Sequence, residues 1–318
     1  MKRQAHGVAL IAMLLLLVLV TSLTANMLYQ NTIEIKRQQT QSRVIQATEY
    51  ARAGIALAEL WLQRPTSPDS SEPAIFQPPN GGLTIEIDDE MAKFNINNLR
   101  TKEGGIDQTQ LVVLQRLLTN LSMDPGLAFG VADWVDKDTS SSGYNTEDLG
   151  YSMIKTREGV GYRTSNRSMG HISELLLVQG FSREVLAKLK HSLTALPIRT
   201  PININSASAA VIEAVIPGIN GHALSAARKK DGSEFGDIET FLQHQQTAGL
   251  EIPTQWLSTH SQFYLVTARG TYQQQSAQWQ ALISRTANNN PEDLWQTDLV
   301  WLRKLPFWVT APKLNNYE

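Results

Sequence analysis

Five carboxylates, Asp133, Asp136, Asp138, Glu147 and Asp148, fall within the single stretch ADWVDKDTSSSGYNTEDLGY. Hard oxygen donors at short spacing, without histidine or cysteine among them, suit Ca²⁺, which takes about six to eight oxygens at roughly 2.3–2.6 Å, carbonyls and waters included. Gly143 allows a tight turn there. The Asp136-x-Asp138 start is like that of an EF-hand loop, but the following glycine and glutamate positions do not fit one. The bland alternative is a solvated acidic loop beside a helix end, and spacing alone leaves both readings open. A glycosidase pair is the poorer account, because nothing in the stretch fixes the separation of two carboxylates.

A second segment with chemical potential is VIPGINGHALSAARKK, preceded by NINSASAA. It resembles the helix-hairpin-helix of competence-type DNA receptors, in which hairpin amides and helix N-termini hold a phosphate. Arg228, Lys229 and Lys230 add positive charge, but Asp231, Glu234, Asp237 and Glu239 follow at once, and a phosphate-neutralising module should carry a wider basic face. No nucleic acid partner is therefore expected, and a structural helix pair is the favoured reading. Catalysis is not expected either. His6, His171, His191, His222, His244 and His260 are scattered outside any HExxH pattern, and the chain has no GxSxG and no P-loop.

The elements that position these segments begin with an anchor. A polar leader, MKRQAHG, runs into VALIAMLLLLVLVTSLTANML, so Val8 to Leu28 offers a mostly apolar run long enough for a bilayer core. Lys2 and Arg3 stay on the cytoplasmic side under the positive-inside rule, which puts the bulk of the chain across the membrane. No A-x-A-like site follows the apolar run, so the expected processing point precedes it, between Gly7 and Val8. The 318 residues are 42% hydrophobic and 18% charged, enough for a sizeable core or two domains beyond the stalk. A net charge of −2 gives no general pull toward nucleic acid or anionic lipid. With no cysteine, thiol catalysis, disulfides and cysteine-based zinc sites are excluded.

Ile33 to Leu62 reads as a helix continuing the span, with Ile45, Ala53, Ala56, Leu57 and Leu60 near helical spacing. The prolines and glycines of RPTSPDSSEPAIFQPPNGG end it. Alternation at Leu83, Ile85 and Ile87 predicts strand, with a hairpin turn near Asp88 to Glu90. Strands return in QFYLVTARGTY, SAQWQALISRT and DLVWLRKL. Between them lie helical patterns, one opening at Asp124-Pro125, another with Ser173 as cap and Gly180 as stop, and then SREVLAKLKHSLTAL. The expected fold is α+β: a long N-terminal helix and a small antiparallel sheet, interrupted by a large, mostly α-helical inserted domain. The expected divisions are a leader at 1–7, a transmembrane helix at 8–29, and the stalk with the first strands at 30–105. An insert follows at 106–255, in halves of about 106–197 and 198–255, and closing strands at 256–318.

A basic leader, a glycine and an apolar helix that turns amphipathic resemble type IV pilins and pseudopilins. The resemblance implies cleavage after Gly7 by a prepilin peptidase and N-methylation of Val8. One departure is Ala12, where most such subunits carry glutamate at the fifth mature position. A carboxylate in the bilayer persists only where it finds a partner, so its absence points to a subunit with no neighbour above it. KFNINNL, ADWVDKD, YNTEDLGY, HISELLLVQGF and LPIRTPININSASAAVIEAVIP occur in the order seen in the general secretion pathway protein K family, the large minor pseudopilins of type II secretion. That resemblance runs from the leader to about Pro217. It implies a pilin-like domain with a calcium-binding helical insert, the ligands coming from Asp136, Asp138, Glu147 and Asp148, with Asn166 a further candidate. It also implies a place at the pseudopilus tip, supporting protein export. The implied partners are other minor pseudopilins in a heteromeric complex and the major pseudopilin below, on a single-pass inner-membrane anchor with a periplasmic body.

Overall fold

The computed structural model describes residues 3–64, 73–138, 151–152, 161–231, 235–288 and 294–306, with side chains described from Val8 onward except at 229–231. Helix α1 (Arg3–Leu62) is continuous over 60 residues, about 90 Å at the usual rise. No proline precedes Pro65, so nothing interrupts its hydrogen-bond ladder. Its first half is exposed apolar surface from Val8 to Tyr29, and the helix is long and apolar enough to cross a membrane.

The second half of α1 lies on a five-stranded antiparallel sheet, ordered β1 (Ala74–Phe76), β2 (Gly81–Asp89), β7 (Phe263–Tyr272), β8 (Gln275–Thr286) and β9 (Gln296–Leu305). Leu83, Ile85 and Ile87 alternate onto the helix side and pack with Ile55, Ala58, Leu62, Val266, Ala268 and Ile283. The helix comes close because small residues face the sheet: a Cβ added to Gly54 would stand 2.7 Å from Leu83 and 2.9 Å from Ala268. This corrects the expected stalk pattern. The face buried on the sheet is Ala47, Ala51, Gly54, Ile55, Ala58 and Leu62, whereas Ile45, Ala53, Ala56 and Leu60 point away from it. The outward side also carries Gln46 and the exposed Glu49–Arg52 ion pair, so the sheet takes the side of the helix without charge.

The expected hairpin at Asp88 to Glu90 does not form. β2 runs straight through Asp89, a 3₁₀ turn at Glu90–Ala92 follows, and the chain leaves the sheet. It returns at β7, where Tyr264 pairs with Asp89. Along β2, Gly81 lies at Tyr50 and Ile85 at Gly54, so the strand runs in the same sense as α1 and delivers the insert at the end remote from the apolar span. Asp89 is buried because it continues the inward alternation. Its Oδ2 accepts hydrogen bonds from Asn203 (2.9 Å), Ser261 (2.7 Å) and Ser206, and its Oδ1 accepts from the Met91 amide at 2.8 Å.

The insert has two halves built alike. In the first, β3 (Phe94–Asn95) leads through a 3₁₀ turn (Ile96–Leu99) to α2 (Gln108–Asn120), α3 (Leu127–Val135) and α4 (Arg183–Leu189). It closes as β4 (Leu193–Thr194), parallel to β3. In the second, β5 (Ile202–Asn203) leads to α5 (Ala209–Val215), α6 (Gly221–Asp231) and α7 (Ile238–Leu242). It closes as β6 (Leu257–Ser258), parallel to β5. The two halves share one apolar core, from Phe94 and Leu114 to Val211 and Phe241.

The asparagines of FNINNL and NIN do the stitching, each buried or half-buried carboxamide standing in for missing ladder partners. Asn97 donates to the carbonyls of Met169 (2.9 Å) and Leu196 (2.7 Å) and accepts from the Met169 amide at 2.8 Å. Asn98 clasps Thr200 through both its backbone groups, at 2.8 and 3.0 Å. Asn205 repeats the pattern on Phe235 and Thr259. The predicted Ser173 cap is instead His171, whose Nδ1 accepts from the Ser173 amide at 3.0 Å, and the element it starts is 3₁₀ (Ile172–Leu177).

Candidate functional site

Helix α3 ends at Asp136, which caps it with its amide on the Ala132 carbonyl (3.0 Å) and is only 2% exposed. The chain bringing Asn166 to this corner is fixed from two sides. The Asn166 amide donates to the Trp134 carbonyl at 3.1 Å, and Arg100 Nη1 donates to the carbonyls of Val135 and Asn166. Asn166 adopts φ +48, a left-handed conformation that asparagine tolerates better than most residues, and this turns its side chain toward Asp138. Its Nδ2 donates to the Asp138 carbonyl at 3.4 Å, leaving Oδ1 buried with no hydrogen bond among the described residues. The Ser165 hydroxyl beside it is likewise buried without one. Trp134 packs edge to face on Tyr151 and Tyr162, with centroids 5.4 and 6.3 Å away, and the two tyrosine rings lie tilted at 41° with centroids 5.2 Å apart.

Of the five residues expected to hold a metal, Asn166 reaches the backbone carbonyl of Asp138, and Asp136 lies two residues before Asp138 at the end of α3, while Glu147 and Asp148 lie outside the described residues, as does Gly143. Among the described residues no three His, Asp or Glu side chains converge on one point. The donor set at the corner is oxygen throughout, and the orphaned Asn166 Oδ1 is an acceptor in need of a donor or a cation, which fits Ca²⁺. Sequence reading missed Arg100, whose guanidinium holds the two strands of the corner together. Its position directly after FNINNL was the available signal.

The hairpin that resembles a DNA module is occupied by its own chain. Where a phosphate would sit, the Gly221 amide donates to Glu213 Oε1 at 3.0 Å, and the Ala223 amide is taken by Asn220 Oδ1 at 2.9 Å. Arg228 points inward, bonding the carbonyls of Ile204 and Ala207. The side chains of Lys229 and Lys230 lie outside the described residues. A carboxylate on the anion seat and an inward arginine speak against phosphate binding.

An apolar helix of membrane length laid across a small antiparallel sheet, with a helical insert at the far end, defines a pilin-like subunit. Family comparison makes that specific. Two family models, both described as type II secretion system (T2SS), protein K, match residues 92–198 and 202–260 respectively. Type II secretion system protein K of Pseudomonas aeruginosa is 30% identical over 270 residues, spanning 78% of this chain and 79% of the relative. That of Klebsiella pneumoniae is 27% identical over 310 residues, spanning 87% and 93%. The chain belongs to the type II secretion system protein K family. It is a minor pseudopilin, a structural subunit and not an enzyme. A solved chain of the GspK-GspI-GspJ complex from the enterotoxigenic Escherichia coli type 2 secretion system shares the fold. Its TM-score is 0.69 at 23% identity, over 85% of this chain and 99% of that one.

Proposed function

We propose that this pseudopilin caps the tip of the type II secretion pseudopilus and supports export of folded proteins across the outer membrane. It would do so from a single-pass inner-membrane anchor with its body in the periplasm. The observation that carries the reading is the division of α1 into two faces. One face is filled by the chain's own sheet, and the other is exposed and presents Ile45, Ala53, Ala56 and Leu60 around a Glu49–Arg52 ion pair. Small residues let helices approach closely, so this face suits the stalks of other minor pseudopilins. The solved relative comes from a complex with GspI and GspJ, which supports partners of that kind. The insert sits beyond the sheet at the end away from the span, where it would block addition of a further subunit. Ala12, in place of an acidic residue, agrees with a subunit that pairs with nothing above and with the major pseudopilin only below.

Processing by a prepilin peptidase between Gly7 and Val8, with N-methylation of Val8, is part of the same reading. In the calcium reading, Asp136, Asp138, Asn166, Glu147 and Asp148 supply the oxygens. The bound ion would supply charge neutralisation that ties the segment after α3 to Asn166.

The test uses the absence of native cysteine. Ala53→Cys and Ala56→Cys, each introduced singly in the full chain, should form disulfides with cysteine-bearing minor pseudopilins in membranes, while Ala58→Cys, against the sheet, should not. Failure of both exposed positions to cross-link to any pilin-like subunit sinks the assembly reading. Mass spectrometry of the membrane-extracted chain should give a methylated Val8 terminus; an intact Met1 rejects the processing.

A further inference from the structure

The turn that joins β1 to β2 is built from Pro78, Pro79, Asn80 and Gly81, and the Gly81 amide closes it on the Pro78 carbonyl at 3.1 Å. Asn80 holds φ +62 at the third position, the type II arrangement with proline at the second. Only glycine or asparagine takes that conformation readily. Gly81 is fixed for a different reason: a Cβ there would stand 2.3 Å from the Thr271 carbonyl oxygen and 2.6 Å from the Tyr50 ring. The fold therefore asks for a left-handed residue followed by one with no side chain, and the sequence meets it with Asn-Gly. That pair is chemically reactive, because no side chain on the second residue keeps its nitrogen from the asparagine carboxamide.

The chain has one other Asn-Gly step, Asn220-Gly221. Both asparagines are exposed, so access of water does not separate them. Their bonding does. Asn220 starts α6, its Oδ1 accepts from the Ala223 amide at 2.9 Å, and the Gly221 amide is buried and held by the Glu213 carboxylate at 3.0 Å. The Asn80 side chain makes no hydrogen bond with any described residue, and the Gly81 nitrogen is held only by one neutral carbonyl within a four-residue turn. We propose that Asn80 is a site of spontaneous deamidation and Asn220 is not. The Gly81 nitrogen gives up its proton to solvent base and bonds to Asn80 Cγ, the Cγ–Nδ2 bond breaks, and ammonia leaves. Water then opens the resulting succinimide at either carbonyl, giving aspartate or isoaspartate. Either product brings a new negative charge to a turn whose Pro79 carbonyl accepts from the Tyr50 hydroxyl at 3.4 Å, and isoaspartate also lengthens the backbone by one methylene there. The site is independent of the placement of the subunit in a filament.

The experiment incubates the full chain in detergent in warm, mildly alkaline buffer made with heavy-oxygen water, and a second sample in the same buffer with concentrated urea. Peptide mass spectrometry then follows amide loss and uptake of solvent oxygen at each Asn-Gly step. In the folded chain Asn80 should convert at least about tenfold faster than Asn220, whose reaction must first undo a helix cap and a charge-assisted hydrogen bond. In urea the two should convert at similar rates, which assigns the difference to folding and not to the neighbouring sequence. Asn80→Gly, which suits the positive φ, should melt with the wild type and show no conversion in the turn peptide. The proposal is overturned if Asn80 stays intact in the folded chain while the urea sample converts, if Asn220 keeps pace with it when folded, or if the difference persists in urea.

Discussion

Gly270 on β7 lies directly under the backbone of α1: a Cβ on it would stand 2.1 Å from the carbonyl oxygen of Ala47 and 2.6 Å from the Ala51 amide. Both neighbours are main-chain atoms within an unbroken helix, so neither can rotate aside. The helix and sheet are held in backbone-to-strand contact, and the absence of one methyl group permits it.

Gly270→Ala is therefore expected to lower stability by about 3 kcal/mol through overpacking, with the helix forced off the sheet. Chemical denaturation monitored by circular dichroism measures it. A change within about 0.5 kcal/mol of wild type would contradict the contact.

Asp89 supplies the second prediction. It gathers three side-chain donors separated from it by 114 to 172 residues, and its charge acts on Arg285, whose Nε and Nη1 are buried without hydrogen bonds among the described residues. Asp89→Ala leaves those donors unmatched and should cost ~3 kcal/mol or more. Limited proteolysis should then cut the insert at a rate the wild type does not show.

The calcium proposal is tested at the corner around Asn166. If calcium is held there, chelation lowers the melting temperature, and free Ca²⁺ at about one hundred times its dissociation constant restores roughly 2.7 kcal/mol. Asp136→Asn should abolish the Ca²⁺-dependent part of the melt while leaving the chelated protein nearly unchanged. A chelated protein that melts at the same temperature as the loaded one refutes the site.

His171 gives a pH dependence. Burial, and then the Arg303 guanidinium, push its imidazole down to about 4, and its ring meets Trp301 edge to face at 5.8 Å. The folded value lies below the unfolded value of about 6.5, so as pH falls the unfolded chain takes the proton first. Stability from this residue is complete above about 6.5 and declines toward 4. Protonation at Nδ1 also removes the acceptor for the Ser173 amide. His171→Gln should flatten the melting temperature between pH 6.5 and 4.5 relative to wild type, and an unaltered slope rules the residue out.

The large elements were legible because their signals are local. The apolar run, the strand alternation from Leu83 to Ile87 and the closing strands each follow from spacing within one segment. Asp89 was read as part of a turn because acidic residues favour turns, and the partners that make it a buried hub arrive from β5, the start of α5 and the approach to β7. The same alternation, carried one step past Ile87, pointed inward. His171 displaced Ser173 as cap because an imidazole nitrogen two residues earlier already accepts the amide. At the corner around Asn166 the acidic residues were visible as a cluster, but the turn that orients Asn166 depends on Trp134, Val135 and Arg100, distant in the chain and joined only by folding.

β2 and β7 are neighbours in register at the point where the chain departs and returns, Asp89 facing Tyr264. Topologically, everything between them is the loop of one β-hairpin. Lengthening a loop costs little, about 0.6 kcal/mol of closure entropy per doubling, so the sheet is nearly indifferent to what the hairpin carries. The membrane-anchored body and its distal load can thus be tailored separately: a short Asn-Gly turn joining the two strands should leave a small pilin-like body that closes by itself, and the load can grow or be exchanged without redesigning the stalk.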